Sequence, residues 1–332
     1  MRPKMSRLCF REMGEQIRLA QNIAISGHIN PDGDCLGAIL GLGLALKDLG
    51  KEVDMIHAER PLHFSYLPGF RFLTSPDPMK GYDLFIMVDL GDKARLGPSA
   101  GLLDRSRVRI NFDHHQTNEG VCDWVCQIRD ASSTCEILAS FLRDQKIPIS
   151  KDAATALLAG IITDSNRFLY DTARARCMRV AADLIEAGAD VKKIYLKEYQ
   201  AVDPHMVAFT GHMVEKAAFL QEGRVALGLV SQEDLAHFQL TMPEAEGVVD
   251  QLRNLQGVEL AVIVKEQAPK LSKLSLRSKR FFNVEALASS WGGGGHIKAA
   301  GASLAMPAKE AYQVVKEALE GYPLTDFEEP QA

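Results

Sequence analysis

The segment Ile25-Ser-Gly-His-Ile-Asn-Pro-Asp-Gly-Asp-Cys-Leu-Gly37 sets three oxygen or nitrogen donors, His28, Asp32 and Asp34, between an apolar strand pattern and a helical one. Asp32 and Asp34 are one glycine apart, so an irregular loop turned by Pro31 and Gly33 would aim both carboxylates at one point. Carboxylates that close repel one another unless a cation sits between them. A plain turn with Asp32 as a helix N-cap accounts for one acid and leaves Asp34 and His28 without a task. Asp89 closes the apolar run Leu84-Phe-Ile-Met-Val88, at the carboxyl end of an expected central strand. Asn111-Phe-Asp-His-His-Gln-Thr-Asn118 then sets Asp113, His114 and His115 side by side after another strand. Successive side chains point different ways, so these three should divide the work: one imidazole on a metal, the other toward substrate, and Asp113 orienting a ring from behind. Asp164 ends the helical stretch that begins at Ala153, where an acid opposes the helix dipole at a cost of roughly a few tenths to 1 kcal/mol unless a cation offsets it.

Four carboxylates and two histidines at strand and helix ends of one region are hard to explain as separate turns. Mixed carboxylate and imidazole ligation, with no thiolate among the candidates, favours Mn²⁺ or Mg²⁺ over structural zinc. Two such ions about 3.5 to 4 Å apart stabilise both the attacking and the leaving oxygen of a phosphoryl displacement, so the expected chemistry is hydrolysis of a phosphate ester.

A second group lies far downstream. In Trp291-Gly-Gly-Gly-Gly-His-Ile-Lys-Ala-Ala-Gly301 four consecutive glycines favour neither helix nor strand, and a loop here would bring backbone N–H groups close to an anion, with His296 and Lys298 as further donors. Lys273, Ser275 and Arg277 alternate with Leu274 and Leu276, which predicts a strand with a polar face able to meet a phosphate or a base.

The elements around these residues set their positions. Apolar runs at 23–26, 53–56, 83–90 and 108–112 alternate with helical patterns at 36–50, 133–143 and 153–162, the rhythm of a mostly parallel, helix-covered sheet whose ligands gather outside the carboxyl ends of its strands. From 178 to 216 the pattern is helical, with Gly188 as a C-cap. Strands at 224–230, 260–264, 271–278 and 302–304, with helices at 243–255, 283–291 and 307–319, predict a smaller second α/β domain, and the tail from Asp326 is expected to fray. The division expected is 1–185, a helical linker at 186–215, and 216–325.

The 332 residues suit two lobes. With 46% hydrophobic and 24% charged residues the composition is that of an ordinary folded protein, and a net charge of -5 argues against a broad basic grip on long nucleic acid. Six cysteines without a Cys-x-x-Cys pair read as reduced thiols. The basic N-terminus lacks the apolar run of a signal peptide, and no apolar stretch approaches a bilayer span, so the chain is expected in the cytoplasm.

The chain resembles the DHH phosphoesterase superfamily with a C-terminal DHHA1 domain, in particular the bifunctional oligoribonucleases and pAp phosphatases of the NrnA type. The resemblance is carried by His28 with Asn30-Pro-Asp-Gly-Asp34, Val88-Asp89, Asp113-His-His115, Gly160-Ile-Ile-Thr-Asp164, Ser275-Leu-Arg-Ser278, and Gly292 to His296 with Ala299-Ala-Gly301. It implies one Mn²⁺ on His28, Asp32 and Asp89 and a second on Asp34, Asp89, His114 and Asp164, with Mg²⁺ as substitute and Asp89 bridging. It implies that His115, backed by Asp113, faces the scissile phosphate. Arg277, Ser275, Gly293, Gly294, Gly295, His296 and Arg167 would bind the nucleotide, in a cleft between the domains. The implied substrates are very short RNA and 3′-phosphoadenosine 5′-phosphate; long nucleic acid and membranes are not expected partners, and a homodimer is left open. The alternatives within reach are a phosphodiesterase for cyclic or linear dinucleotides and a non-catalytic nucleotide-binding module. Three residues depart from the family pattern: Cys35 where a small residue such as alanine is usual, Gly27 before His28, and Asn166 where glycine is common.

Overall fold

The computed structural model describes residues 4–322, so the tail from Asp326 lies outside the described residues. The chain forms two compact units, Met1–Ala201 and Val202–Ala332. The first runs α1 (Lys4–Leu19), β1 (Asn22–Ser26), α2 (Gly33–Asp48), β2 (Glu52–Ile56), β3 (Leu73–Thr74), β4 (Leu84–Val88), α3 (Ala100–Arg105), β5 (Val108–Asp113), β6 (Trp124–Gln127), α4 (Thr134–Asp144), α5 (Lys151–Asp164), α6 (Ala175–Glu186) and α7 (Val191–Tyr199). Its six strands are all parallel, in the order β3-β2-β1-β4-β5-β6. The chain winds outward from β1 to one edge, then returns to β4 and winds to the other. The point where the order reverses, between β1 and β4, is where a sheet of this kind leaves a crevice at its carboxyl end.

Every side chain of β4 is buried. Leu84, Ile86 and Val88 enter the core shared with α2, α4 and α5, while Phe85 and Met87 enter a second core with Leu96, Leu102 and Leu103. Burial on both faces is why this strand reads as an unbroken apolar run.

Helices α2 and α5 pack antiparallel through small residues. A Cβ on Gly33 would lie 2.4 Å from Thr163 Oγ1, one on Gly37 2.7 Å from the Ala156 carbonyl, and one on Gly41 2.5 Å from Leu157 Cγ. The glycine stripe at this i, i+4 spacing lets the backbones approach, and so sets Asp34 at the start of α2 beside the end of α5, where Asp164 sits.

The second unit runs α8 (Pro204–Lys216), β7 (Ala218–Leu220), β8 (Val225–Val230), α9 (Gln232–His237), α10 (Val248–Asn254), β9 (Leu260–Ala268), β10 (Leu271–Ser278), α11 (Val284–Ser289), β11 (Gly294–His296), β12 (Ala299–Leu304) and α12 (Ala308–Gly321). Its sheet order is β11-β12-β10-β9-β8-β7, antiparallel except for β8 with β9. One face packs on α11 and α12, the other on α8, α9 and α10.

The helical reading of 178–216 resolves into three helices, broken at Gly188 (φ 96°) and at 200–203. Residues 294–296, expected as loop, form the edge strand β11.

Gly37→Leu should lower the thermal unfolding midpoint, at a cost of about 1–3 kcal/mol, because the new side chain meets backbone rather than a side chain that can move away. An unchanged midpoint would mean that α2 and α5 are not held at this distance.

Candidate active site

His28 stands two residues past β1 and is buried. Its Nδ1 donates to the Ile29 carbonyl at 2.9 Å, which turns Nε2 inward. Buried His57, with Nδ1 accepting from Glu59 N–H, donates from Nε2 to the His28 carbonyl at 2.9 Å and holds the loop from behind. No pattern around His57 announced this contact.

Asp32 departs from the sequence expectation. It is the N-cap of α2, its Oδ1 accepting from Asp34 N–H at 3.0 Å and Cys35 N–H at 2.9 Å, while Oδ2 lies 3.9 Å from His28 Nε2. Capping and site geometry are thus shared between the two oxygens of one carboxylate. The backbone bend falls at Asn30 (φ 55°) rather than at Gly33, which is already helical and is small because Thr163 lies against it.

Asp89 follows β4 in the left-handed region (φ 64°), a costly conformation for a residue with a Cβ and one that concentrates at functional sites. The turn points its carboxylate both ways: Oδ2 is 3.3 Å from His28 Nε2, and Oδ1 is 3.4 Å from His114 Nε2. His114 Nε2 also lies 3.5 Å from Asp164 Oδ2 and 3.9 Å from Asp34 Oδ2.

Asp113, fully buried, accepts at Oδ1 from the His115 N–H (3.1 Å) and from His115 Nδ1 (2.8 Å), and at Oδ2 from Asn118 Nδ2 at 2.7 Å. Gln127 donates to the His115 carbonyl at 2.7 Å. Asn118, in the loop after β5, and Gln127, at the end of β6, escaped the sequence reading because a single amide in a loop or at a strand end carries no distinctive pattern.

The start of α4 also reaches the cluster. Thr134 N–H and Cys135 N–H donate to the Asp34 carboxylate at 2.6 and 2.9 Å, and the Thr134 hydroxyl donates to Asp89 Oδ1 at 3.0 Å. From sequence, Ser133-Thr134 marked only the beginning of a helix.

So many acids in one place distort their titration. Burial, and then the Asp89 and Asp164 charges, hold Asp34 well above the usual carboxylate range, and loss of water raises Asp164 to about 7. Burial disfavours the charged form of His114, yet Asp89, Asp34 and Asp164 outweigh it and raise its pKa to about 10. Asp89 moves the opposite way: burial opposes its charge, but His114 and His28 hold it far below the normal range. No lysine or arginine is among the groups acting most strongly on Asp34, Asp89 or Asp164. Imidazole nitrogens aimed at carboxylate oxygens are a donor set that fits divalent metal. Three such groupings converge: His28, Cys35 and Asp89; Asp89, His114 and His115; Asp34, His114 and Asp164.

The three departures from the family pattern now have structural readings. Cys35 and Gly27 are one feature, because a Cβ on Gly27 would lie 2.3 Å from Cys35 Sγ. Asn166 adopts φ 48°, the region glycine enters most easily and asparagine tolerates. Arg167 and Phe168 follow it at φ 62° and 65°, and the exposed Arg167 guanidinium lies 4.9 Å from the Tyr199 ring centroid.

In the second unit, Ser275 pairs with Gly301, which pairs in turn with Gly294; Arg277 pairs with Ala299, which pairs with His296. The strand and the glycine segment are therefore in register across β12. The glycines are needed for that approach: Cβ atoms on Gly293 and Gly295 would meet the carbonyls of Gly301 at 2.1 Å and Ala299 at 2.5 Å. Arg277 Nε lies 3.7 Å from Asp250 Oδ1. The His296 side chain lies outside the described residues.

Gly27→Ala alone should destabilise by about 1–3 kcal/mol from overpacking against Cys35, Cys35→Ala alone by less, and the double variant should recover most of the loss. Chemical denaturation of the four proteins measures the coupling; strict additivity would contradict the pairing.

The model of the DHH family N-terminal domain matches residues 22–161, and that of the DHHA1 domain matches 225–322. The chain is 27% identical over 301 residues to the bifunctional oligoribonuclease and PAP phosphatase NrnA of Thermus thermophilus, an alignment covering 90% of this chain and 89% of that protein. It is 30% identical over 294 residues to the protein of the same name from Mycoplasma genitalium, covering 86% and 89%. The crystal structure of an exopolyphosphatase-related protein from Bacteroides fragilis shares the fold with a TM-score of 0.89 at 24% identity, spanning 97% of this chain and 98% of that one. With this coverage, the chain belongs to the DHH family with a C-terminal DHHA1 domain, of the bifunctional oligoribonuclease and PAP phosphatase type, and is a hydrolase of phosphoric esters.

Proposed function

We propose that the chain hydrolyses very short oligoribonucleotides from an end, removes a phosphate from 3′-phosphoadenosine 5′-phosphate, and does so in the cytoplasm with two Mn²⁺, or Mg²⁺ in their place. The observation that carries this reading is one continuous set of contacts at the carboxyl end of a parallel sheet, in which Asp89 joins His28 to His114 and His114 in turn meets Asp34 and Asp164. The names of the Thermus and Mycoplasma relatives support the substrate class.

His28, Asp32 and Asp89 would hold one ion and Asp34, Asp89, His114 and Asp164 the other, with Asp89 shared. Such a pair supplies positive charge that acidifies a water and offsets charge on the phosphoryl oxygens. Around it, Asp113 keeps the His115 ring in one orientation, Nδ1 toward its own carboxylate, so that Nε2 is the atom that holds or hands over a proton at the phosphate. The amides of Thr134 and Cys135 keep the Asp34 carboxylate from turning away. Arg277, Ser275, Gly293, Gly294, Gly295, His296 and Arg167 would bind the remainder of the nucleotide. The outward N–H groups of a strand edge built from glycine can approach an anion closely. The helical stretch 186–215 would link the two parts.

Two variants test this. Removing divalent ions with a chelator, or substituting Asp89→Ala, should lower hydrolysis of dinucleotide RNA and of 3′-phosphoadenosine 5′-phosphate by at least about 100-fold. His115→Asn should lower kcat by about 10² to 10⁴ while Mn²⁺ still binds. Equal turnover by wild type and Asp89→Ala, or faster turnover of pyrophosphate than of either nucleotide, would overturn the proposal.

A further inference from the structure

We infer that Thr134 is a positioning residue for the bridging acid: its hydroxyl fixes the plane of the Asp89 carboxylate, so that one oxygen serves the His28 half of the centre and the other the His114 half. This rests on the two-ion reading above and concerns a residue whose sequence context suggested only a helix start.

A carboxylate plane turns about a torsion with broad, shallow preferences, so the Asp89 rotamer by itself does not decide where its two oxygens point. A bridging acid needs that decision made. Asp89 Oδ2 lies 3.3 Å from His28 Nε2 and Oδ1 3.4 Å from His114 Nε2, and Oδ1 alone accepts the Thr134 hydroxyl, at 3.0 Å. One donor on one oxygen fixes the tilt of the carboxylate plane and leaves the opposite oxygen unengaged by it.

The hydroxyl is not occupied in making the helix. Capping of α4 falls to Ser133, whose side chain accepts from Glu136 N–H at 3.0 Å. Thr134 instead reaches 45 residues back along the chain, from a fully buried position. The turn that carries it is anchored independently of the acids. The buried Glu136 carboxylate accepts from Ser132 N–H and Oγ at 2.7 and 2.8 Å and from Arg176 of α6. The donor therefore sits on a fixed support. Threonine also restricts its own χ1 more than serine does, which narrows the directions its hydroxyl can take.

Because the Thr134 and Cys135 amides hold Asp34, a side-chain change at 134 separates the two contacts: Thr134→Val keeps the backbone donor to Asp34 and removes only the hydroxyl to Asp89. Mn²⁺ binding to chelator-treated protein, read by calorimetry and by the electron paramagnetic signal of free Mn²⁺, tests the idea without any turnover. Wild type should take up two ions. Thr134→Val should bind at least one of them about 10- to 100-fold more weakly. Thr134→Ser should return to near wild-type affinity, and the folded content of the three by circular dichroism should match. If Thr134→Val does not fold, the comparison of Thr134→Ala with Thr134→Ser carries the same expectation. Two ions bound by Thr134→Val with wild-type affinity would overturn the positioning role while leaving the two-ion reading intact. A wild type that binds no Mn²⁺ would overturn both.

Discussion

Like charges brought together out of water repel, and the arrangement of the first unit follows from holding Asp34, Asp89 and Asp164 around the same imidazole in spite of that. Asp34 and Asp89 are buried, so the protein must engage their oxygens with donors that are themselves held in place. The α4 amides do this for Asp34, His28 and Thr134 for Asp89, and His114 for all three acids. Even so, Asp34 and Asp164 are pushed toward their protonated forms and His114 toward its charged form.

The backbone contributes by geometry. Parallel pairing aligns the carboxyl ends of β1, β4 and β5, so that His28, Asp89 and the Asp113–His115 segment emerge together. The glycine stripe of α2 brings the end of α5, and with it Asp164, against the start of α2. Left-handed residues appear at the turns that aim side chains: Asn30 between His28 and Asp32, Asp89 itself, and Asn166 to Phe168 just past Asp164. Strain of this kind persists only where the surrounding structure holds it, and for Asp89 the strand before it, β4, is buried throughout.

In the second unit the four glycines have a structural duty that their sequence concealed. Consecutive glycines predict a loop because they have no preference for either regular element. Pairing with β12 nevertheless makes a strand of Gly294–His296, and the close carbonyls of Gly301 and Ala299 exclude a Cβ at 293 and 295. No residue-level propensity reveals this, since the requirement comes from the neighbouring strand.

Read alone, the sequence determined which residue types stand at the ends of strands and helices, where chemistry is to be expected. An acid that interrupts or closes an apolar run, as Asp89 does, or three donors within seven residues after a strand, as at 28–34, register as local patterns. The alternation of β10 likewise foretold that Arg277 and Ser275 share a face. What only the tertiary structure decided are the relations between residues distant in the chain. Asp32 caps a helix with one oxygen while facing His28 with the other, Gly27 is small because of Cys35, and Thr134 bonds an acid 45 positions away. Periodicity and spacing report the free energy of a residue in its own segment; a hydrogen bond or a steric limit imposed by another segment has no local trace, and it becomes visible only when the chain is folded.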